Sequence, residues 1–390
     1  MRGLRLIASI CVVLMLAAAL SACSTKSEGD SPMFLANPQH TGSVQEKAIT
    51  EYKSTKWKYN LGGNINATPA VAGNTAYIGN EDGSFAAVDL STGKELWKFK
   101  AGGAINSTAC VDGGKVYFFC EDGSLYALDA QKGGKLWSVK TGDKKSSPKI
   151  DLLGSSPVIS GNAVIFGSFD GSLYALDKKS GKQLWKFETG DTVRTSPAVY
   201  NKIVYFGSFD GNLYALDVQT GSLKWKFKTQ GNKDNPKGEI QSSPVIADGV
   251  VYFGSWDCYL YALDAATGSL KWQYMALSTP IISTPAVSNG KVYFAGVDFN
   301  SNAQAFYAVN IEKSSLAWRF RSNSNILASP LIVGDSIYFG DWDGSVAVHE
   351  TKMGQYQWDF PTDGCIIGSP VLKDGVLYIA SYDGNLYALQ

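Results

Sequence analysis

Short runs of alternating apolar and polar residues, separated by glycine-containing turns, recur along most of the chain. In the unit around residue 200 the pattern predicts strand A at 195–199, strand B at 203–208, strand C at 212–217 and strand D around Trp225. Asp210-Gly211 supplies the turn between strands B and C, and Thr220-Gly221 supplies the turn between C and D. Each unit is therefore predicted to be a four-stranded antiparallel sheet.

This unit occurs eight times, most often at a spacing of 40 residues. An aspartate in the B–C turn marks each copy: Asp82, Asp122, Asp170, Asp210, Asp257, Asp298, Asp343 and Asp383. A tryptophan in strand D marks the same number: Trp57, Trp97, Trp137, Trp185, Trp225, Trp272, Trp318 and Trp358. Four-stranded units of about 40 residues are typical of β-propeller blades. An open solenoid and an array of sandwiches are the alternatives.

The two ends of the repeat array favour a closed ring. Trp57 precedes any predicted strand A, B or C, and the last unit stops at residue 390 after its strand C. A strand around Trp57 would complete the last blade and remove two exposed sheet edges. We therefore predict an all-β fold, an eight-bladed β-propeller over residues 57–390 that is closed by its N-terminal strand.

Composition agrees with this fold and excludes some functions. The chain has 41 glycines, 20 tyrosines, 18 phenylalanines and 10 tryptophans, which suits short strands and tight turns. A hydrophobic content of 45% excludes an intrinsically disordered chain. Lysine plus arginine equals aspartate plus glutamate, 35 against 35, which argues against a nucleic-acid partner bound through its phosphates.

The first residues have the pattern of an export signal. Arg2 and Arg5 precede an apolar run at 6–20, which is short for a membrane-spanning helix. The run ends in Leu20-Ser21-Ala22-Cys23, which matches the lipobox of bacterial lipoprotein signals. We interpret 1–22 as a signal peptide and 23–56 as a lipidated Cys23 followed by a tether. An ordinary secretory signal with a chance cysteine is the alternative.

The expected location follows from this signal. Ser24 follows the cysteine, where an aspartate would indicate retention in the inner membrane. We expect an exported protein that touches the membrane only through its lipid. It would lie on the periplasmic face of the outer membrane in a Gram-negative organism, and otherwise on the outer face of the cytoplasmic membrane.

Four cysteines remain after Cys11 and Cys23, and their spacing does not indicate a disulfide framework: Cys110, Cys120, Cys258 and Cys365. Cys110 and Cys120 flank a predicted hairpin in which Cys110 faces Tyr117. Cys120 then lies roughly 10 Å further along the strand, beyond the reach of a disulfide. We therefore predict isolated thiols in the core.

The repeat resembles that of the pyrroloquinoline-quinone (PQQ)-like propellers. Its signature Ala-x-Asp-x-x-x-Gly-x-x-x-Trp occurs at 87–97, 127–137, 175–185, 215–225 and 262–272. The sixth unit departs from it with Asn310 and Ser314, and the seventh with Val348 and Glu350. One branch of this superfamily consists of quinoprotein dehydrogenases. The other consists of cofactor-free lipoproteins, whose best-known member is the outer-membrane β-barrel assembly factor BamB.

Length, lipobox and blade number make the chain similar to the second branch. This resemblance implies a non-catalytic, lipid-anchored scaffold of the cell envelope, most concretely an accessory factor in outer-membrane β-barrel assembly. The implied partners are envelope proteins, among them the barrel-inserting machinery and unfolded client proteins, bound partly by strand pairing. The alternative is a surface-anchored propeller that binds a small ligand or acts as a quinoprotein.

Candidate catalytic chemistry is sparse. A quinoprotein of this superfamily would carry an adjacent-cysteine disulfide and a calcium site, but the sequence has no Cys-Cys pair. Asp341-Trp342-Asp343-Gly344 resembles part of a calcium loop without the remaining ligand spacing. His40 and His349 are the two histidines of the chain, and they form no zinc motif or nucleophile–base pattern. We expect no catalytic residue, no metal and no cofactor.

Some units contain residues that the common repeat lacks, and these extra residues indicate one end of the propeller as a candidate binding face. Extra residues occur at 142–154, 230–240 and 299–306, in D–A connections or a B–C turn, which lie at the same end of a propeller. Five aromatic residues precede turn aspartates at that end: Phe169, Phe209, Trp256, Trp342 and Tyr382. They form either an exposed set of anchors or rings that fold back over neighbouring blades.

Positions just before strand A add to this candidate partner-binding face. Ile282, Leu327 and Ile367 are predicted to line one side of the central funnel, with Arg194, Asn66 and Asn106 opposite them. Such a division into apolar and polar halves suits a peptide or protein partner.

Overall fold

The computed structural model describes residues 33–143, 154–277, 279–298 and 304–390. It confirms an all-β, eight-bladed propeller of four-stranded antiparallel blades, with one short 3-10 helix at Phe34–Ala36. Among these residues, no helix has the length and apolar character needed to cross a membrane.

Each blade contains strands A to D from the channel outward, and the first four blades follow one another along the chain. Blade 1 consists of Ala70–Ala72, Thr75–Gly79, Ser84–Asp89 and Glu95–Lys100. Blade 2 consists of Cys110–Asp112, Lys115–Phe119, Ser124–Asp129 and Lys135–Lys140. Blade 3 consists of Val158–Ser160, Ala163–Gly167, Ser172–Asp177 and Gln183–Glu188. Blade 4 consists of Ala198–Tyr200, Ile203–Gly207, Asn212–Asp217 and Leu223–Lys228.

The last four blades repeat this order, and the N-terminal strand closes the ring. Blade 5 consists of Val245–Ala247, Val250–Gly254, Tyr259–Asp264 and Leu270–Met275. Blade 6 consists of Ala286–Ser288, Lys291–Gly296, Ala305–Asn310 and Ser315–Arg321. Blade 7 consists of Leu331–Val333, Ser336–Gly340, Ser345–Glu350 and Tyr356–Pro361. Blade 8 combines Val371–Lys373, Val376–Ala380 and Asn385–Leu389 with Thr55–Asn60, which pairs antiparallel to Asn385–Leu389 as predicted.

The repeat tryptophan and glycine join neighbouring blades. A Cβ on Gly268 would lie 2.6 Å from the ring of Trp225 in the preceding blade, so only glycine fits beneath that ring. The indole N–H of Trp225 donates a hydrogen bond to the carbonyl of Ala265 in the next blade's C–D turn, and the hydroxyl of Tyr205 donates to the same oxygen. Packing between blades, and not a catalytic role, therefore accounts for much of the repeated sequence.

The turn aspartates also have structural roles in most blades. Asp170 is buried, and its carboxylate accepts hydrogen bonds from the Ser172 backbone N–H at 3.0 Å and from the Tyr174 hydroxyl at 2.6 Å. The same aspartate–tyrosine bond occurs in the units of Asp122, Asp210, Asp257 and Asp383. Burial raises the pKa of Asp170, but these bonds outweigh it and hold that pKa below its ordinary value.

The outermost strands are protected against further pairing. A register shift just before the repeat tryptophan interrupts strand D in every blade. Such β-bulges, together with lysines such as Lys98 and Lys226 on the same strands, discourage edge-to-edge association.

The described part of the leader differs from a free tether. Residues 33–54, which we call the leader strap, lie across the channel end where the A–B turns are. Backbone carbonyls of Pro38, Gln39, Thr41 and Gly42 accept hydrogen bonds from strand A of blades 4, 5, 6 and 7 in turn. Ser43–Val44 then pairs in parallel with Leu331–Val333. The inner edges of strand A leave N–H donors toward the channel, and the strap satisfies four of them.

The strap also replaces a turn that blade 8 lacks. Strand D of blade 8 is the N-terminal strand Thr55–Asn60, so no C–D turn joins it to strand C or bonds the preceding blade. The carbonyl of Ile49 accepts hydrogen bonds from the Tyr338 hydroxyl at 2.9 Å and from the Trp358 indole at 3.1 Å instead. This is the arrangement that Ala265 makes between blades 4 and 5. Residues 33–54 are therefore part of the folded unit.

Candidate functional site: the upper face and the central funnel

We call the end of the propeller with the B–C turns and D–A connections the upper face, and the end with the A–B and C–D turns the lower face. The central funnel opens at the upper face and narrows at a ring of hydroxyl side chains. The ring contains one residue from each blade: Thr68, Thr108, Ser156, Ser196, Ser243, Thr284, Ser329 and Ser369. Phe34 of the leader strap also lines this funnel.

The hydroxyl ring is a circular hydrogen-bond belt. The Ser196 backbone N–H donates to the Ser243 hydroxyl at 2.9 Å, and the Ser243 N–H donates to the Thr284 hydroxyl at 3.3 Å. Five further links of this kind, at 2.8–3.2 Å, complete a series that runs from Thr108 around the ring to Thr68. The belt satisfies buried backbone donors and holds the inner ends of the blades at one radius.

Above the belt, one half of the funnel is apolar. Ile282, Leu327 and Ile367 form one cluster with Val297, and all four are buried. Trp256, Cys365 and Tyr382 pack against the rim of this cluster. The three residues predicted for this side therefore lie together, just before strand A of blades 6, 7 and 8.

The opposite half is polar and charged. The carboxylate of Glu81 accepts hydrogen bonds from Asn64 at 2.9 Å and from Asn66 at 2.7 Å. Arg194 lies 3.9 Å from the Glu121 carboxylate, and its guanidinium stacks 4.5 Å from the centre of the Phe169 ring. Burial of the Arg194 side chain is offset by this ion pair and this cation–π contact.

Two of the five predicted aromatic anchors are not exposed. Phe169 is 4% exposed and Phe209 is 3% exposed. Phe169 packs 5.0 Å from the ring of Phe119 in the neighbouring blade and beneath Arg194. Of the two alternatives for the aromatic set, burial therefore holds for these two rings, and neither is an exposed anchor.

The residues predicted to line the funnel are too buried to contact a partner at the surface. The Arg194 side chain is fully buried, and Ile282, Leu327 and Ile367 are each at most 3% exposed. A partner that stays on the surface does not contact these four side chains. They shape and stiffen the wall of the funnel.

Three aromatic residues remain at the upper surface. Trp342 is 43% exposed, while Trp256 and Tyr382 are half-buried. The Trp256 indole donates to Gln241 at 3.2 Å, and the Tyr382 hydroxyl donates to Glu81 at 3.2 Å. The polar tips of these two rings are thus fixed, and Trp342 is the freest apolar anchor among the predicted residues.

The extra residues at 230–240 form an ordered loop beside this surface. The Asn232 side chain accepts a bond from the Asn235 backbone, and Asn235 in turn accepts one from Gly238 at 2.8 Å. Lys237 pairs with Asp191 at 2.9 Å, which fixes the loop to the neighbouring connection. Most of the predicted insertions at 142–154 and 299–306 lies outside the described residues.

A quinone and its calcium ion do not fit the residues present. The cavity at the hydroxyl belt has a volume of about 40 Å³, room for a few waters, whereas small-molecule sites need about 300 Å³ or more. Within the described ranges, no three His, Cys, Asp or Glu side chains converge as metal ligands. Cys110 faces Tyr117 in the predicted register.

The histidines do not form a proton-transfer site. His40 lies in the leader strap, where its Nδ1 is 3.2 Å from the Pro244 carbonyl and its ring contacts Phe34. Burial lowers its pKa to about 4. His349 stacks on Phe320 with ring centres 4.3 Å apart, and burial lowers its pKa as well. Both imidazoles serve packing.

The fold and the repeat define an eight-bladed propeller of the PQQ-like class. A family model described as outer membrane protein assembly factor BamB matches residues 46–168, 144–280 and 237–390. The chain belongs to this family. No curated protein sequence matches it significantly.

Solved structures show the same fold at low identity. BamB from Moraxella catarrhalis is 22% identical with a TM-score of 0.70, covering 86% of this chain and 97% of that one. A europium-containing methanol dehydrogenase is 16% identical with a TM-score of 0.77, covering 91% and 90%. The quinohemoprotein alcohol dehydrogenase from Comamonas testosteroni is 16% identical with a TM-score of 0.78, covering 93% and 80%. The fold is thus shared by an assembly factor and by enzymes.

Proposed function

We propose that this protein is a non-catalytic, lipid-anchored interaction scaffold of the bacterial cell envelope. Most concretely, it is an accessory factor in outer-membrane β-barrel assembly, and Cys23 carries its lipid. Family membership supports the assembly role, because the matching model covers residues 46–390 and is described by that role. The observation that carries the scaffold role is the upper face, where Trp342 is exposed in a B–C turn.

Non-catalytic action is supported by how the polar residues are used. Turn aspartates such as Asp170 bond their own turns, and the channel hydroxyls bond neighbouring blades. Burial raises the pKa of the Cys258 and Cys365 thiols to about 11, which disfavours the reactive thiolate. None of these groups is poised for proton transfer or nucleophilic attack.

The upper face suits a protein partner better than the rim does. The rim strands are bulged and rich in lysine, which opposes strand addition. Trp342 offers a large exposed aromatic anchor on the same face as the half-buried rings of Trp256 and Tyr382, and such residues dominate interface energies. We therefore place the barrel-assembly machinery, or an unfolded client protein, on the upper face.

A pull-down tests the scaffold role. The natively lipidated protein is captured from gently solubilised envelopes, and its partners are identified by mass spectrometry. We expect barrel-assembly components, lost in Trp342→Ala and retained in Met353→Ala. Met353 is the matched control because it is 63% exposed in a C–D turn of the lower face. Recovery of the propeller alone, even with crosslinking, would refute the assembly role.

The alternative is a small-ligand or quinoprotein function, because the methanol and alcohol dehydrogenases share this fold. A quinone absorption band in the purified protein, or thermal stabilisation by calcium, would support it. The narrow channel leads us to expect neither.

A further inference from the structure

The leader strap connects the membrane anchor to one particular end of the propeller. Its carbonyls at Pro38, Gln39, Thr41 and Gly42 bond strand A of four successive blades near the lower face. Glu46 then accepts a hydrogen bond from the Asp374 backbone in an A–B turn, which also lies on the lower face. The strap is therefore fixed along an arc of the lower channel mouth.

The strap is held by close contacts as well as hydrogen bonds. Its own Leu35 and His40 side chains are buried, and its Phe34 lines the channel at the hydroxyl belt. The cavity left there, about 40 Å³, has no room for another run of backbone. A chain that precedes Met33 therefore cannot reach the upper face through the channel.

The segment from Cys23 to Met33 could otherwise reach the upper face only around the rim of the propeller, and its length limits this route. Ten Cα steps separate Cys23 from Met33, a span of at most about 36 Å. Crossing the four strands of a blade takes about 14 Å, and climbing a six-residue strand takes about 20 Å more. An anchor at the upper face would thus need the entire segment fully extended, whereas a few residues suffice to reach a bilayer below the lower face.

We propose that the leader strap orients the propeller on the membrane, with the lower face toward the lipid surface and the upper face, with Trp342, pointing away from it. This inference rests on the proposed lipidation of Cys23. It assigns the lipid bilayer to the lower face and leaves the upper face free for a protein partner.

Two single-cysteine additions at opposite ends of one strand test the orientation. Lys352→Cys lies in the C–D turn of blade 7 and Asp343→Cys in its B–C turn, and both positions are exposed. Each natively lipidated variant is labelled with a donor dye and bound to phosphatidylethanolamine–phosphatidylglycerol vesicles that contain an acceptor lipid. The unaltered protein, whose Cys110, Cys120 and Cys258 are buried, measures background labelling.

Energy transfer to the vesicle is the readout. Because about 20 Å of strand separates the two labels, we expect at least about twofold more transfer from position 352 than from 343. Equal transfer, or more from 343, overturns the orientation. Vesicle flotation is measured in parallel. Loss of flotation overturns the lipid anchor and with it this inference, while flotation with the wrong transfer ratio overturns the orientation alone.

A variant that releases the strap tests its part in the orientation. A Cβ on Gly42 would lie 2.9 Å from the Ala286 Cβ and 3.0 Å from the Pro330 carbonyl, so Gly42→Val detaches the strap. Gly62→Val is the control, because Gly62 shares the positive φ but a Cβ there meets nothing within 4 Å. We expect both variants to float and only Gly42→Val to lose the transfer difference. An unchanged difference in Gly42→Val would refute the role of the strap.

Discussion

Replacement of one turn aspartate should reveal how strongly these residues hold the blades. In Asp170→Ala, the Ser172 N–H, the Tyr174 hydroxyl and the Gly142 N–H lose an ionised acceptor at 3.0, 2.6 and 3.2 Å. Hydrogen bonds to charged groups contribute about 1.5–3 kcal/mol each, and they are not additive within one cluster. We therefore expect a loss of about 4 kcal/mol in the free energy of unfolding.

Asp343 supplies the matched control, since it holds the same repeat position in blade 7. There Asp341 accepts the turn N–H of Ser345 instead, and Asp343 is exposed. Asp343→Ala should therefore cost less than about 0.5 kcal/mol. Guanidinium unfolding followed by tryptophan fluorescence measures both variants, compared at equal denaturant slope.

The pH dependence adds a second check on Asp170. Its pKa is lower in the folded protein than its ordinary value of 3.8, so its ionised form stabilises the fold above that value. This contribution is lost as the pH falls through the folded pKa, and the gap between wild type and Asp170→Ala should narrow in acid. Equal costs for the two alanine variants, or a gap that does not narrow in acid, would contradict this role of Asp170.

Three further substitutions test other parts of the account. His40 has a folded pKa of about 4 against 6.5, so stability should fall by up to about 3 kcal/mol as the pH drops from 6.5 to 4, and His40→Gln should flatten that slope in denaturation curves. Gly268→Ala should destabilise the fold by about 1–3 kcal/mol more than Gly290→Ala, because both glycines have a positive φ but only a Cβ at position 268 crowds Trp225. Equal unfolding midpoints for the two variants would contradict this. Ser243→Ala should cost about 1–2 kcal/mol by leaving a neighbouring backbone N–H without its acceptor, and Ser243→Thr should restore thermal stability; a neutral alanine variant would rule out the belt's role.

The spacing of the repeated residues was sufficient to predict the blades. The period of 40, the turn at Asp210-Gly211 and the early Trp57 predicted the strands, their order and the ring closure, because each unit satisfies its own local rules. The Cys110–Tyr117 register also followed from the hairpin turn alone. Local sequence determines these features.

Contacts between distant segments were harder to predict. Polar composition suggested a tether for the leader, yet residues 33–54 bond four blades through backbone carbonyls, which carry no sequence signal, and a fifth blade through the Glu46 carboxylate. The sequence allowed Phe169 to be an exposed anchor, but contacts with Phe119 and Arg194, which are distant in sequence, bury its ring. The hydroxyl belt did have a signal, the Ser or Thr before proline in most units, but its partner lies one blade away.

Photo-crosslinking in living cells tests whether the upper face binds a protein partner. A photoreactive amino acid replaces Trp342 on the upper face or, as the control, Met353 on the lower face, both exposed. The account predicts an adduct between position 342 and a component of the barrel-assembly machinery, and none from position 353. Adducts from 353 alone, or none from 342, would contradict a scaffold that acts through its upper face.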